Sequence, residues 1–283
     1  MQSINPPVLW RVFVPADIFY FLVKNVYKTG EFCMKKFLIV FGTLTLIPVC
    51  SFADSAVKGV NPADNVTKME LLPSLNVMDV DGKPSVTTLG LKYDKELYKA
   101  FGINFELPLS HFSGYGISDA GIGDLRVRGR AQYRFGRNVI IGATEFVLPT
   151  ATSDTLGTRQ YTFDPTLAYV YAFSANFFTA LVGKQFISLY NLDKEKYQDT
   201  NQTQVRLLMG YLSNNGWWAA LDPQVWINNE DGRVEYLVEG EVGTMLNRTT
   251  GVWTRIGKRI AGDWHRNDWS VLLGIRFIPG QKD

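Results

Sequence analysis

From Leu125 the chain alternates. Leu125, Val127, Gly129, Ala131, Tyr133 and Phe135 are apolar or small, and Arg126, Arg128, Arg130, Gln132 and Arg134 stand between them. A period of two over so long a run predicts a β-strand with one apolar and one charged face. Phe135-Gly136-Arg137-Asn138 predicts a tight reversal into a second strand that ends at Leu148. Strands of water-soluble proteins are usually about 5–6 residues long. A tilted strand crossing an outer membrane needs roughly 9–11. Four arginines two residues apart also suit a wet barrel interior better than a solvated face of one charge.

The same pattern continues along the chain. Further strands are expected at 66–78, 85–93, 98–109, 160–173, 176–190, 201–212, 217–227, 233–246, 251–260 and 268–278. In 160–173, Tyr161, Phe163, Leu167, Tyr169, Tyr171 and Phe173 oppose Thr162, Asp164, Thr166 and Ala168. In 233–246, Val234, Tyr236, Val238 and Val242 oppose Arg233, Glu235, Glu239 and Glu241. No helical periodicity lies between them. Short connections at 136–137, 174–175, 213–216 and 247–250 alternate with long ones at 110–122, 149–159, 191–200 and 261–267; those at 94–97 and 228–232 do not separate by length. Outer-membrane barrels sort their connections this way, with short turns on one side and longer loops on the other. The expected fold is all-β: an antiparallel up-and-down transmembrane β-barrel of about 12 strands over residues 66–278, with 279–283 as a tail.

Tyr169, Tyr171, Phe173, Phe177, Phe178, Trp217, Trp218, Phe135 and Trp269 fall near strand ends, where aromatic girdles form. One position disagrees. Glu145 falls with Val139, Ile141 and Val147 on what reads as the lipid face, which calls for a bulge or a different register.

The start of the chain changes the charge balance. Met34-Lys35-Lys36, an apolar run from Phe37 to Val49 and Ser51-Phe52-Ala53 together predict a secretory signal peptide over 34–53. Residues 1–33 carry no export signal and read as an over-called extension, the alternative being a cytoplasmic segment before an uncleaved anchor. Residues 54–65, polar with Gly and Pro, read as a mobile periplasmic start or a small plug. Cleavage after Ala53 would remove both cysteines, Cys33 and Cys50, and with them any disulfide or thiol chemistry. It would also remove five of 29 Lys/Arg and two of 27 Asp/Glu, leaving 24 minus 25, or −1. The positive balance of the full chain then gives no support to nucleic-acid binding.

Gly121-Ile122-Gly123-Asp124-Leu125-Arg126-Val127-Arg128, Tyr133-Arg134-Phe135, Leu148-Pro149-Thr150 and Asp164-Pro165 carry a resemblance. Here the chain resembles the family named for the MetA pathway of phenol degradation, a family of outer-membrane barrels. The resemblance spans roughly residues 66–278 and departs from the family pattern at Ala151, where Gly is commoner, and in the tail. It implies a channel or uptake role for small, often apolar molecules.

Alternation points Arg126, Arg128, Arg130, Arg134, Asp164, Lys184, Arg206, Asp222, Glu235, Glu239, Glu241, Arg255, Arg259 and Arg276 inward. Facing charges of both signs in a narrow barrel form a constriction that selects solutes, or a salt-bridge network that fills a closed lumen. Two other classes compete: a lipid-modifying barrel enzyme using His111 with Ser110 and Ser113, or His265 behind Asp263-Trp264, and a passive structural or adhesion barrel. No metal-ligand spacing or phosphate loop occurs, so no cofactor is expected. The expected partners are outer-membrane lipid, the barrel-assembly machinery and a small-molecule solute.

Overall fold

The computed structural model describes residues 57, 59–264 and 266–279. The expected extension and signal peptide lie outside the described residues, as do His265 and 280–283. Thirteen strands follow in order: β1 (Lys68–Val77), β2 (Ser85–Tyr98), β3 (Phe101–Gly114), β4 (Ile117–Ile122), β5 (Leu125–Phe135), β6 (Asn138–Leu148), β7 (Gln160–Ala172), β8 (Phe177–Asn191), β9 (Asn201–Leu212), β10 (Trp217–Asn228), β11 (Val234–Met245), β12 (Thr250–Gly262) and β13 (Trp269–Phe277). Every pairing is antiparallel between chain neighbours, except that β3 pairs with β5 as well as β4, and β1 pairs with β13. All strands but β4 therefore form a closed ring of twelve. Closure pairs every wall strand on both sides and leaves no free edge, which a wall facing hydrocarbon requires.

Alternation decides what each face meets. Large apolar side chains cover the outside; Tyr133 is 69% exposed, Ile260 65% and Leu167 64%. An apolar belt around a whole barrel far exceeds the patches that water-soluble monomers tolerate. One rim of the belt is aromatic: Tyr133 stacks on Phe135, Phe173 meets Tyr171 and Phe177, and Tyr211 meets Trp217, at centroid distances of 4.8–5.8 Å. This rim lies at the end carrying the tight β5–β6, β7–β8 and β9–β10 turns, hereafter the turn end. Gly136, in the β5–β6 turn, has φ +58°, a conformation that side-chain-bearing residues seldom adopt.

Four expectations need correction. The loop expected at 110–122 is a hairpin: β3 runs on to Gly114, Tyr115 and Gly116 both take positive φ (54° and 76°), and β4 returns along β3. The turn expected at 94–97 is strand, and the chain reverses at 99–100, because Asp94 and Glu96 alternate inward with Lys92. The β5–β6 and β6–β7 ladders run unbroken through Arg128↔Glu145 and Glu145↔Asp164, so there is no bulge, and Glu145 faces inward together with buried Val139, Ile141 and Val147. Trp218 and Phe178 are fully buried inside rather than in the girdle, while Trp217 and Phe177 beside them point out.

Candidate functional site

The interior charges gather into three groups. In the first, Glu145 is the centre. Arg128 Nε–H donates to Glu145 Oε2 at 2.9 Å, Lys184 Nζ donates to Oε1 at 2.7 Å, and Arg126 Nη1 lies 3.8 Å from Oε1. Lys184 Nζ also lies 3.4 Å from Asp164 Oδ2 and 4.5 Å from the centre of the Phe186 ring. Glu145 and Asp164 are each 1% exposed, so their charge is tolerable only because cations surround them.

The second group spans β9 to β12. Arg206 pairs with Asp222 across the β9–β10 ladder. Gln204 donates to Gln224 and Gln224 to Glu239, both at 2.8 Å. Arg255 Nε–H donates to Glu241 Oε2 at 2.9 Å, with Nη1 3.7 Å from Glu239 Oε2. The Trp218 indole N–H donates to Glu241 Oε1 at 2.8 Å, which draws that aromatic side chain inward.

In the third group, Glu70 receives Arg276 Nε–H at 2.7 Å and Lys92 Nζ at 3.0 Å, with Lys68 Nζ at 3.1 Å. The Arg276 guanidinium lies 4.7 Å over the Trp253 ring and 5.8 Å from Trp218. Of these, sequence reasoning named only Arg276. The signal it missed is the alternation Lys68-Met69-Glu70-Leu71 and its continuation through Lys92 and Asp94.

Loops fold over the opposite end. Leu156, in the loop 149–159, is fully buried against Met78, Val86 and Phe112. Asp124 holds the same loop by accepting from the Ala151 and Thr158 backbone N–H groups at 3.2 and 2.7 Å. Lys196 and Arg159 bind the Asp154 carboxylate at 2.5 and 2.6 Å and hold its pKa down to about 2. Hydrogen bonds from Ser153 and Thr155 likewise hold the Asp119 carboxyl below its usual value. Trp264 packs against Phe186 and Trp226 at the mouth, and Glu235 Oε2 accepts the Arg266 and Asn267 backbone N–H groups at 2.9 and 3.2 Å. Arg259 pairs with Asp79 of the β1–β2 connection.

The segment ahead of β1 enters the barrel at the turn end. Val57 packs against Trp218 and Trp253, and Ala63 against Val139, Ile141, Val170 and Phe178. Arg130 donates to the Pro62 carbonyl at 2.8 Å and Arg134 to the Ala63 carbonyl at 3.2 Å. Asn65 bonds the Tyr98 and Phe101 carbonyls, each at 2.9 Å. The described part of 54–65, residues 57 and 59–65, lies against the inner wall. This segment also explains the apolar inner face of β6: Val139 and Ile141 have an apolar partner inside the barrel.

Of the expected interior residues, Arg126, Arg128, Asp164, Lys184, Arg206, Asp222, Glu239, Glu241, Arg255 and Arg276 belong to the three groups, Arg130 and Arg134 hold the entering segment, and Glu235 and Arg259 anchor loops at the mouth. His111 stands on the exposed β3–β4 hairpin with Nε2 3.0 Å from Ser118 Oγ, apart from Ser110, whose side chain faces inward beside Thr88. Among the described residues, no set of three or more His, Cys, Asp or Glu side chains is placed to hold a metal.

No protein-family model matches the chain, and no curated protein matches it by sequence. Its architecture is nonetheless similar to solved structures. The COG4313 outer membrane channel from Pseudomonas putida F1 aligns with a TM-score of 0.64 at 15% identity, covering 76% of this chain and 95% of that one. The NanC porin aligns at 0.56 and 9% identity, and the KdgM porin at 0.53 and 8%, each covering 74% of this chain and 98% of its own. The fold is that of outer-membrane, porin-like β-barrels. At these identities the likeness bears on the fold.

Proposed function

We propose that this barrel sits in the bacterial outer membrane as a channel or transporter-like protein for small solutes, with the turn end in the periplasm and the charged interior setting selectivity. One observation carries the reading. β5, bearing Arg126, Arg128, Arg130 and Arg134, and β11, bearing Glu235, Glu239 and Glu241, stand across the ring from each other: β6 to β10 separate them on one side, and β3, β2, β1, β13 and β12 on the other. Local pairing leaves the β5 side with more cations (Arg126, Arg128, Arg130, Arg134 and Lys184) than acids (Glu145 and Asp164). It leaves the β9–β12 side with more acids (Asp222, Glu239 and Glu241) than cations (Arg206 and Arg255). This imbalance imposes a transverse field on any solute between them. The porin and channel folds of the structural neighbours support the reading, and the MetA-pathway resemblance supplies the solute class: small, hydrophobic or aromatic. Outer-membrane lipid and the barrel-assembly machinery are its proposed partners.

The test is conductance in planar bilayers. Arg128→Ala is expected to shift ion selectivity toward cations and Glu239→Ala toward anions. A second reading, a structural barrel with a sealed lumen, is favoured by the entering segment and the folded-in loops. It expects neither substitution to change a conductance that is already nil.

A further inference from the structure

We propose that the cavity between the entering segment and the inner wall of β5 to β7 binds a small amphipathic anion: a carboxylate on a compact apolar body. The cavity holds about 280 Å³ at the turn end, lined by Asn61, Ala63, Arg134, Arg137, Val139 and Val170, with the 136–137 and 174–175 turns at its rim. A cavity of about 150 Å³ is enough to hold benzene, so this one has room for a single-ring acid.

The lining selects the chemistry. Val139 and Val170 are direct cross-strand partners, both buried, and with Ala63 they make an apolar floor. Arg134 and Arg137 supply two guanidiniums at its edge. Arg134 spends one N–H on the Ala63 carbonyl and Arg137 one on the Phe173 carbonyl, each at 3.2 Å. A guanidinium has five N–H donors, so both keep donors for a carboxylate. Among the described residues, no carboxylate lies within ion-pair distance of either one. Asp64 reaches Arg134 only through its field, and accepts the Gly59 backbone N–H at 3.0 Å. By contrast, Arg128, higher on the same strand, is matched by Glu145. Unmatched cations beside an apolar floor fit a ligand that brings both the charge and the apolar body.

Binding needs no conduction, so the test stands apart from the channel reading. Isothermal titration of the full chain in non-ionic detergent at pH 7 would compare benzoate, benzyl alcohol and acetate. One saturable benzoate site per chain is expected, with benzyl alcohol and acetate at least tenfold weaker, since one lacks the charge and the other the ring. Arg137→Gln, on the rim, and Arg134→Gln should each weaken benzoate binding roughly tenfold. The proposal is overturned if benzoate shows no saturable site, if benzyl alcohol binds as tightly, or if folded variants bind benzoate unchanged. Should either variant fail to fold, the three-probe comparison on the unaltered chain still decides.

Discussion

Arg128 and Glu145 are direct cross-strand partners on β5 and β6, and Glu145 also takes the ammonium of Lys184 two strands away. One carboxylate thus ties three strands together from the inside. Replacing it with an amide would leave Arg126, Arg128 and Lys184 facing one another in a site from which water is largely excluded. Breaking a buried ion pair by removing one partner costs about 3–5 kcal/mol. Glu145→Gln should therefore lower the urea midpoint at which the barrel loses its heat-modifiable gel mobility, and Glu145→Asp should lower it less. An unchanged midpoint in the Gln variant would show that the network does not hold the wall.

Deleting residues 57–65 should open the turn end. The segment is held by Arg130, Arg134 and Asn65 and by packing of Val57 on Trp218 and Trp253. Its removal is expected to raise single-channel conductance and red-shift tryptophan emission, because Trp218 and Trp253 gain water. If conductance stays nil after the deletion, the sealed-lumen reading gains.

Two glycines let the interior indoles lie against the wall. A Cβ on Gly274 would overlap the Trp253 ring, and one on Gly243 would overlap Trp218. Overpacking of this kind costs about 1–3 kcal/mol. Gly274→Ala should show that loss in urea titration, whereas Gly240→Ala, whose Cβ would meet nothing within 4 Å, should stay within about 0.5 kcal/mol of wild type.

The 149–159 loop should respond to acid only at the extreme. Asp154 is held down to about 2, below its ordinary 3.8, by Lys196 and then Arg159. A depressed carboxyl contributes its stabilisation above the unfolded value and loses it as pH falls through the folded one. Hydrogen exchange of the loop amides, corrected for intrinsic pH dependence, should be the same at pH 8 and pH 5. Exchange should begin to rise below about pH 4 and continue to rise towards pH 2, as the Asp154 contribution is lost. Asp154→Asn should raise the exchange rate at pH 7 only modestly, because Asp124 and buried Leu156 still hold the loop.

The strands legible in the sequence share one trait: their two faces differ in kind. On β5, arginine against Leu, Val and Tyr can be oriented only one way, and the same holds for the acidic face of β11. β6 is ambiguous in the sequence because both its faces are apolar near the turn end, where Val139 and Ile141 meet Ala63 and Ile140 meets the outside. Trp218 reads as a girdle residue for a similar reason. A tryptophan near a strand end suits a membrane surface, and nothing nearby in the chain indicates that Glu241, on the next strand, accepts its N–H.

The sequence alone determined the all-β class, the closure expected of long alternating strands, the near count of twelve and the charged inner face, because period-two patterning is local and survives without knowledge of neighbours. Only the tertiary structure decided which carboxylate meets which cation, that Val57 and Ala63 pack on the inner wall, that β4 doubles back on β3, and that a cavity forms under Arg134 and Arg137. Those depend on register around a ring and on contacts between residues far apart in the chain, such as Glu70 with Arg276, and no local pattern encodes them.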